Sequence, residues 1–337
     1  MKEAMFYQQE KENKVICGLC SHHCHIREGK RGICAVRENR DGVLYSLVYG
    51  KLIAEGIDPI EKKPLFNFLP GSSSFSIATV GCNFQCLNCQ NYDISQYPHL
   101  HNGEIAGTDR TAEAVVEEAV RRGCESVCYT YVEPTIFYEF AYDCAVLARK
   151  QGLKNVFVSN GYMSAEATRH LAPVLDGINI DIKGFTDDFY KKVSKARLQP
   201  VLDSVRLMHE LGVWVETTTL VIPGLNDSDS ELRDIARFVK SVDPAIPWHV
   251  SAFFPTYKML DREPTPAETL RRAREIGLAE GLHYVYEGNI PGEGGENTYC
   301  PGCGTEVIHR VGYNIRQNNL ADGRCSQCGE QLAGVWR

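Results

Sequence analysis

The chain has 337 residues, of which 43% are apolar, and it carries a formal net charge of −7 with an isoelectric point near 5.8. This composition allows one large core with smaller attachments, and the acidic balance argues against a general nucleic-acid binder. No apolar run reaches the roughly 18 residues that a membrane span needs, and residues 1–10 lack a signal-peptide core. We therefore expect a cytoplasmic protein with no membrane partner.

Eleven of the fourteen cysteines fall in three clusters. In a long chain without a signal peptide, such clusters favour metal binding over disulfides. The other three, Cys124, Cys128 and Cys144, stand in apolar strand or helix patterns and are expected in the core.

The first cluster contains Cys17, Cys20, Cys24 and Cys34. Four cysteines match the ligand count of a tetrahedral zinc ion or of an iron–sulfur cluster. A bound metal would help to fold a segment that is too small to build its own core. Regulatory or substrate-facing thiols are the competing interpretation.

Residues 43–70 alternate apolar and polar groups and then contain three prolines, which predicts a strand or hairpin followed by an extended connector. From about residue 74 to 290, strands and helices alternate. The predicted strands cover residues 74–80, 125–131, 154–160, 177–183, 213–222, 247–253 and 283–287. The first predicted helix begins after Thr111, which can cap it. The other predicted helices cover residues 135–150, 200–211, 228–241 and 266–280.

Apolar strands that alternate with helices imply an α/β fold with a parallel sheet, and this number of units suits a complete or partial TIM-type barrel. Active groups of such barrels belong at the carboxyl ends of the strands. The first strand ends in a loop that carries Cys82, Cys86 and Cys89. Three thiolates on one loop can hold three corners of a [4Fe–4S] cluster and leave one iron open. An incomplete zinc site or three unconnected thiols are the alternatives.

The later strands also end in polar residues. Glu133 follows the second strand and Asn160 ends the third, while the fourth carries Asp181 and Lys183 and the sixth carries His249. Each has an ordinary structural alternative: a helix-capping glutamate, an Asn-Gly turn, a surface salt bridge and a hydrogen-bonded core histidine.

The last cluster consists of two CxxCG knuckles, which hold Cys300 with Cys303 and Cys325 with Cys328. This spacing is a strong signal for a zinc ribbon or a rubredoxin-like site. Zinc is preferred because no redox role is needed, and a second iron–sulfur cluster remains the alternative.

The cysteine loop and the strand ends resemble the radical S-adenosylmethionine (radical SAM) superfamily, and in particular the pyruvate formate-lyase activating enzymes. The resemblance implies a partial (β/α)6-type barrel, a [4Fe–4S] cluster and bound S-adenosylmethionine (SAM). It also implies an electron donor such as flavodoxin or ferredoxin. It assigns Glu133 to the amino group of SAM, Asp181 and Lys183 to the carboxylate, and His249 to the region of the nucleoside, with Asn160 as a further cofactor-binding residue.

The chain ends resemble the radical SAM member of the so-called AmmeMemoRadiSam system. The motifs include Cys17-Gly18-Leu19-Cys20, Glu296-Asn297-Thr298-Tyr299-Cys300-Pro301 and Gly334-Val335-Trp336. This resemblance implies Memo-like and AMMECR-like partner proteins. The expected division is a Cys-rich module over residues 1–70, the barrel over 71–292 and a zinc-ribbon-like module over 293–337.

Three functions are compatible with these motifs. The leading one is a radical SAM enzyme, and the second is an activase that acts on a glycyl-radical partner protein. The third is a non-catalytic metal-binding adaptor. Because a deoxyadenosyl radical must be shielded from water, we expect the N-terminal module to pack near the open end of the barrel. We expect the tail to dock on the barrel as a second cover.

Overall fold

The computed structural model describes residues 1–290 and 294–336, so the predicted boundary at residues 292 and 293 lies outside the described residues. The first part of the chain consists of short strands, β1–β7. Their bounds are Lys2–Glu3, Tyr7–Gln9, Val15–Cys17, His25–Ile26, Arg37–Arg40, Val43–Ser46 and Lys51–Leu52. Two small antiparallel sheets result, in the orders β1-β6-β5 and β2-β3-β4. We call residues 1–52 the N-terminal module.

The next strands build the central sheet. They are β8 (Ala54–Pro59), β9 (Ser73–Ala78), β10 (Thr108–Asp109), β11 (Ser126–Tyr129), β12 (Lys154–Ser159), β13 (Gly177–Asp181), β14 (Trp214–Val221), β15 (Trp248–Ala252) and β16 (Val285–Gly288). Apart from β10, which pairs with β7, they form one sheet in the order β16-β15-β14-β13-β12-β11-β9-β8. The strands β9 and β11–β16 run parallel, and β8 is antiparallel to β9. In the described part of the chain β8 and β16 do not pair, so the barrel is not closed.

Helices connect and cover these strands. They are α1 (Tyr92–Ser95), α2 (Tyr97–Leu100), α3 (Ala112–Arg121), α4 (Tyr138–Lys150), α5 (Ala165–Leu171), α6 (Asp187–Phe189), α7 (Gln199–Glu210), α8 (Asp229–Val242) and α9 (Ala267–Ala279). Thr111 caps α3 as predicted, because its side chain accepts a hydrogen bond from the Ala114 amide. Each predicted strand and helix has a counterpart, whereas β8, β10, α1, α2, α5 and α6 were not predicted as separate elements. Among the described helices, none is long and apolar enough to cross a membrane.

Residues 60–72 fill the amino end of the barrel. The Phe68 ring lies under the first residue of β13, Gly177, where an added Cβ would come within 3.0 Å of the ring. Phe68 also packs with Cys128 and Val156 on the inner strands. The connector predicted before the barrel therefore supplies both an edge strand and the packing that closes the amino end.

The tail docks on residues 60–72, which we call the plug. Its strands are β17 (Thr298–Tyr299), β18 (Glu306–Val311), β19 (Asn314–Asn318), β20 (Leu320–Ala321) and β21 (Arg324–Cys325). The fully buried Arg310 donates to the Phe66 carbonyl at 2.8 Å, and the Leu69 amide donates to the Val335 carbonyl at 2.8 Å. Docking was predicted, but the prediction that the tail covers the open end was wrong, because its contacts lie at the amino end.

Residues 1–52 pack at the carboxyl ends of the strands, as predicted for the whole of residues 1–70, whereas residues 60–70 lie at the amino end instead. The Leu19 carbonyl accepts from the Ser164 amide at 3.0 Å, just beyond the end of β12. Arg37 pairs with Glu139 at the start of α4, and both side chains are 2% exposed. The module thus lies beside the end of the barrel where active groups are expected.

Candidate functional site

The three-cysteine loop directly follows β9 and is held by backbone contacts. Leu87 anchors it twice, because its amide donates to the Val193 carbonyl at 3.0 Å and its carbonyl accepts from the Lys258 amide at 3.0 Å. Gly81, which precedes Cys82, has φ of +99°, and an added Cβ there would come within 2.6 Å of Val36. The turn therefore requires glycine, both for its backbone angle and for the close approach of the N-terminal module.

Burial keeps the thiols of Cys82 and Cys86 neutral in the absence of a metal. It raises the pKa of Cys82 well above its ordinary value, and the nearby Glu133 carboxylate raises that pKa further. Burial also raises the pKa of Cys86, and the charge of Lys183 opposes this shift. A coordinating metal deprotonates a thiol outright, so the loop is suited to a bound cluster rather than to free thiolates.

Glu133 and Asn160 lie beside the loop. Glu133 Oε1 accepts from the Ser159 hydroxyl at 2.9 Å and from the Thr135 amide at 3.1 Å, and Oε2 accepts from the Asn160 amide at 2.7 Å. The Thr135 hydroxyl also donates to Oε1. Burial raises the pKa of Glu133, and these donors oppose the shift. A carboxylate has about four acceptor sites, distributed over two oxygens, so Oε2 retains capacity for one more donor.

The Asn160 side chain connects this carboxylate to the loop. Its Nδ2 donates to Asn83 Oδ1 at 2.7 Å and lies 4.0 Å from Cys82 Sγ. Its Oδ1 accepts from the Tyr162 amide at 3.1 Å, which fixes the orientation of the amide group. The structure therefore brings Glu133, Asn160 and Cys82 together, as the sequence predicted from the strand ends.

Asp181 and Lys183 lie on the other side of the loop. Lys183 Nζ is 2.7 Å from Asp181 Oδ2, and both side chains are partly buried. Burial lowers the pKa of Lys183, but the charge of Asp181 and its hydrogen bond to the lysine raise it, and the net shift is upward. Lys183 therefore remains a cation next to Cys86.

His249 lies deeper in the barrel than these residues. Its Nε2 is 2.6 Å from Glu216 Oε2, and its ring packs edge-on against Phe66 with centroids 4.8 Å apart. Glu216 in turn accepts from the backbone amides of Phe66 and Asn67 at 3.0 and 2.8 Å. These contacts explain His249 as a buried, hydrogen-bonded residue that supports the plug, which is the alternative that the sequence left open.

The four tail cysteines form a compact group. Cys300 Sγ lies 3.6 Å from Cys328 Sγ, and Cys303 Sγ lies 3.7 Å from Cys325 Sγ. Zinc–sulfur bonds of about 2.3 Å in a tetrahedron separate the sulfurs by about 3.8 Å. All four sulfur atoms lie within 4.8 Å of one another, and no other group of potential metal ligands in the described ranges is as compact. The arrangement fits one tetrahedral metal ion. Cys17, Cys20, Cys24 and Cys34 are more widely spread.

Cys124, Cys128 and Cys144 are buried, as expected for core residues. Asn83 was not predicted as a site residue, although it lies between Cys82 and Cys86 and joins the loop to Asn160. Tyr131 was not predicted either; its backbone is left-handed with φ of +64°, and its carbonyl accepts from Asn91 Nδ2 at 2.7 Å. The polar residues Asn83, Gln90 and Asn91 around the cysteines were the available signal.

Comparison with known proteins agrees with this geometry. The model of the radical SAM superfamily matches residues 76–239, which include the cysteine loop and strands β11–β14. The chain contains a radical SAM domain. It is 50% identical over 335 residues to the uncharacterized protein MJ0808 of Methanocaldococcus jannaschii, with 98% of this chain and 99% of that protein covered.

Two further proteins match the chain more distantly. The pyruvate formate-lyase-activating enzyme of Clostridium pasteurianum is 26% identical over 171 residues, which cover 48% of this chain and 67% of that enzyme. The crystal structure of Streptococcus suis SuiB bound to S-adenosylmethionine matches with a TM-score of 0.52 and 13% identity, over 68% of this chain and 52% of SuiB. The latter likeness concerns the fold. The radical SAM domain implies a [4Fe–4S] cluster and SAM as cofactors.

Proposed function

We propose that this protein is a radical SAM enzyme whose cluster is held by Cys82, Cys86 and Cys89 and whose product radical abstracts hydrogen from a substrate. The observation that carries the proposal is the convergence of this loop with Glu133, Asn160, Asp181 and Lys183 at one end of the sheet. When bound, the cluster supplies the electron that cleaves SAM to methionine and a 5′-deoxyadenosyl radical.

The residues around the loop suit the two charged ends of an amino acid. The remaining acceptor site on Glu133 Oε2 can take a proton of the SAM amino group, and four existing donors hold this carboxylate in place. The protonated Lys183 can pair with the SAM carboxylate, while Asp181 fixes the lysine. A charge-assisted pair at each end would orient SAM toward the open corner of the cluster.

The decisive experiment uses anaerobically reconstituted protein, a chemical reductant and SAM, and it measures 5′-deoxyadenosine by liquid chromatography. Wild type should form this product, and the triple variant C82A/C86A/C89A should not. The variant Cys124→Ala is the matched control, because it removes a buried cysteine outside the three clusters. Cluster-loaded wild type that forms no 5′-deoxyadenosine would favour the non-catalytic adaptor.

A glycyl-radical activase is the second candidate. The specific observation in its favour is the similarity to the activating enzyme of Clostridium pasteurianum. An activase needs a partner protein with a target glycine and an electron donor such as flavodoxin or ferredoxin. A glycyl radical detected by electron paramagnetic resonance (EPR) in a co-purifying protein would favour this candidate.

We further propose that the protein works in a system of the AmmeMemoRadiSam type, with Memo-like and AMMECR-like partners. The support is the resemblance of the chain ends, from Cys17-Gly18-Leu19-Cys20 to Gly334-Val335-Trp336. An anaerobic assay with these partners and cell extract, followed by mass spectrometry, should reveal a SAM-dependent product. Equal product profiles with and without the partners would argue against this assignment.

A further inference from the structure

The N-terminal cysteines surround one small cavity beside the mouth of the barrel. Cys17, Cys20, Cys24 and Cys34 all line it, together with apolar residues such as Leu19 and Ile136. Although the four thiols share this cavity, no three of these described residues bring their sulfurs within the 4.8 Å spread found in the tail. The four sulfur atoms are therefore farther apart than the ligands of a single tetrahedral ion.

Two polar groups in the wall of this cavity have no partner. Arg37 Nε and Asn83 Nδ2 are buried N–H donors without a hydrogen-bond acceptor, and both residues are about 1% exposed. A buried N–H donor without an acceptor is destabilising, so these two groups call for a partner. Two of them on one cysteine-lined cavity indicate an anionic, hydrogen-bond-accepting group inside it.

The same cavity adjoins the loop that holds the proposed SAM-cleaving cluster. An added Cβ on Gly81 would lie 3.0 Å from the Cys34 carbonyl oxygen. His22 Nε2 is 2.7 Å from the Asn83 carbonyl oxygen, and Asn83 directly follows Cys82. Asn83 therefore lies in contact with both cysteine groups.

We propose that Cys17, Cys20, Cys24 and Cys34 bind a second [4Fe–4S] cluster, which acts as a one-electron carrier next to the Cys82 loop. An iron–sulfur cluster is larger than a single ion, carries net negative charge with its four thiolates, and has sulfurs that accept hydrogen bonds from nearby N–H groups. The widely spaced sulfurs match the size of such a cluster, and the two unpartnered N–H donors match its hydrogen-bond-accepting sulfurs.

The redox step is simple to balance. A low-potential donor protein of the flavodoxin or ferredoxin class loses one electron, and the N-terminal cluster gains it. The N-terminal cluster is reoxidised when the electron moves on to the cluster proposed at Cys82, Cys86 and Cys89, with no bond made or broken and no proton transferred. This last transfer rests on the proposed function, whereas the existence of the second cluster does not.

Iron counting separates the two sites. After anaerobic reconstitution, iron, acid-labile sulfide and zinc are measured on the full chain, its triple variant C82A/C86A/C89A and the double variant C20A/C34A. Each variant should lose about four irons, which is one cluster, and Cys124→Ala should lose none. A triple variant without iron, or with zinc bound in place of the missing iron, would overturn the proposal. Loss of iron from the double variant alone would contradict the Cys82 site instead.

A second measurement does not depend on cysteine variants that could misfold. Reduced wild type should give an EPR spectrum of two magnetically interacting clusters, and SAM should perturb only one of them. The variant Arg37→Lys keeps the positive charge but removes the Nε–H group, so it should shift the reduction potential of one cluster downward. Arg40→Lys, on the exposed end of the same strand, is the control. A single isolated spin, or equal potentials in Arg37→Lys and wild type, would count against the second cluster.

Discussion

Arg37 in the N-terminal module donates from one guanidinium nitrogen to both carboxylate oxygens of Glu139 in α4, at 2.5 and 2.6 Å. Glu139 also accepts from the Met5 amide at 2.7 Å, so a single carboxylate holds two parts of the module. Because both charges are almost fully buried, their pairing couples the position of the module to the barrel.

We expect Glu139→Gln to destabilise the protein by roughly 3–5 kcal/mol, because it removes one partner of a buried ion pair. Anaerobic denaturant unfolding at equilibrium measures this change. Asp188→Asn is the control, because Asp188 forms an exposed pair with Lys192 and should have little effect. Equal stability of the two variants would show that the Arg37–Glu139 pair does not anchor the module.

Lys183→Ala should weaken SAM binding by roughly 10- to 100-fold, the range expected for the loss of one charge-assisted hydrogen bond. The iron content should stay at the wild-type value, since Lys183 is not a cluster ligand. Calorimetry or equilibrium dialysis under anaerobic conditions measures the affinity. Lys192→Ala removes an exposed lysine nearby in sequence and serves as the control. An unchanged affinity in Lys183→Ala would remove this residue from the SAM site.

Asp58 should make the stability of the protein depend on pH in the acid range. Burial raises its pKa, but hydrogen bonds from Lys62, Lys63 and Tyr131 lower it more, so the net pKa lies below the ordinary value of 3.8. The ionised Asp58 therefore stabilises the fold fully above its ordinary pKa, and this contribution is lost as the pH falls through its folded-state value.

We accordingly expect Asp58→Asn to be less stable than wild type at pH 7, with the difference shrinking as the pH falls below about 4. Unfolding curves between pH 7 and pH 3 test this, with Asp203→Asn on the exposed side of α7 as the control. A destabilisation of Asp58→Asn that does not change with pH would mean that the ionised form is not what stabilises the fold.

The tail should bind one metal ion per chain, with zinc preferred. Cys303 and Cys328 are exposed, so a chelator can reach the site in the intact protein. Zinc removal or Cys325→Ala should lower the melting temperature, because metal binding contributes directly to the folding of such small modules. Elemental analysis and thermal melts measure both effects, and Cys124→Ala should change neither. A metal-free chain with an unaltered melting temperature would contradict the assignment.

The strands and the cysteine sites could be predicted because their signals are local. Apolar runs indicate the parallel strands, and the CxxCG spacing of Cys300 and Cys303 indicates a compact thiol group. The helix α5 was missed because it has only seven residues, although Ser164 caps it by accepting from the Ala167 amide.

The remaining features depend on contacts between residues far apart in sequence. Nothing local to His249 indicates that Glu216, 33 positions earlier, accepts its hydrogen bond. The docking site of the tail likewise depends on Arg310 reaching the Phe66 carbonyl across 244 positions. Such partners follow from the way the strands close around the plug, which a single sequence does not specify.

The contact between the plug and the tail also constrains the timing of assembly. Asn67 Nδ2 donates to the Ala333 carbonyl, and these residues are 266 positions apart. At a synthesis rate of roughly 5–20 residues per second, Ala333 leaves the ribosome about 13–50 s after Asn67. During that interval the nascent barrel exposes the surface of residues 66–69 that the tail later covers. We expect chaperones to bind the chain at this stage.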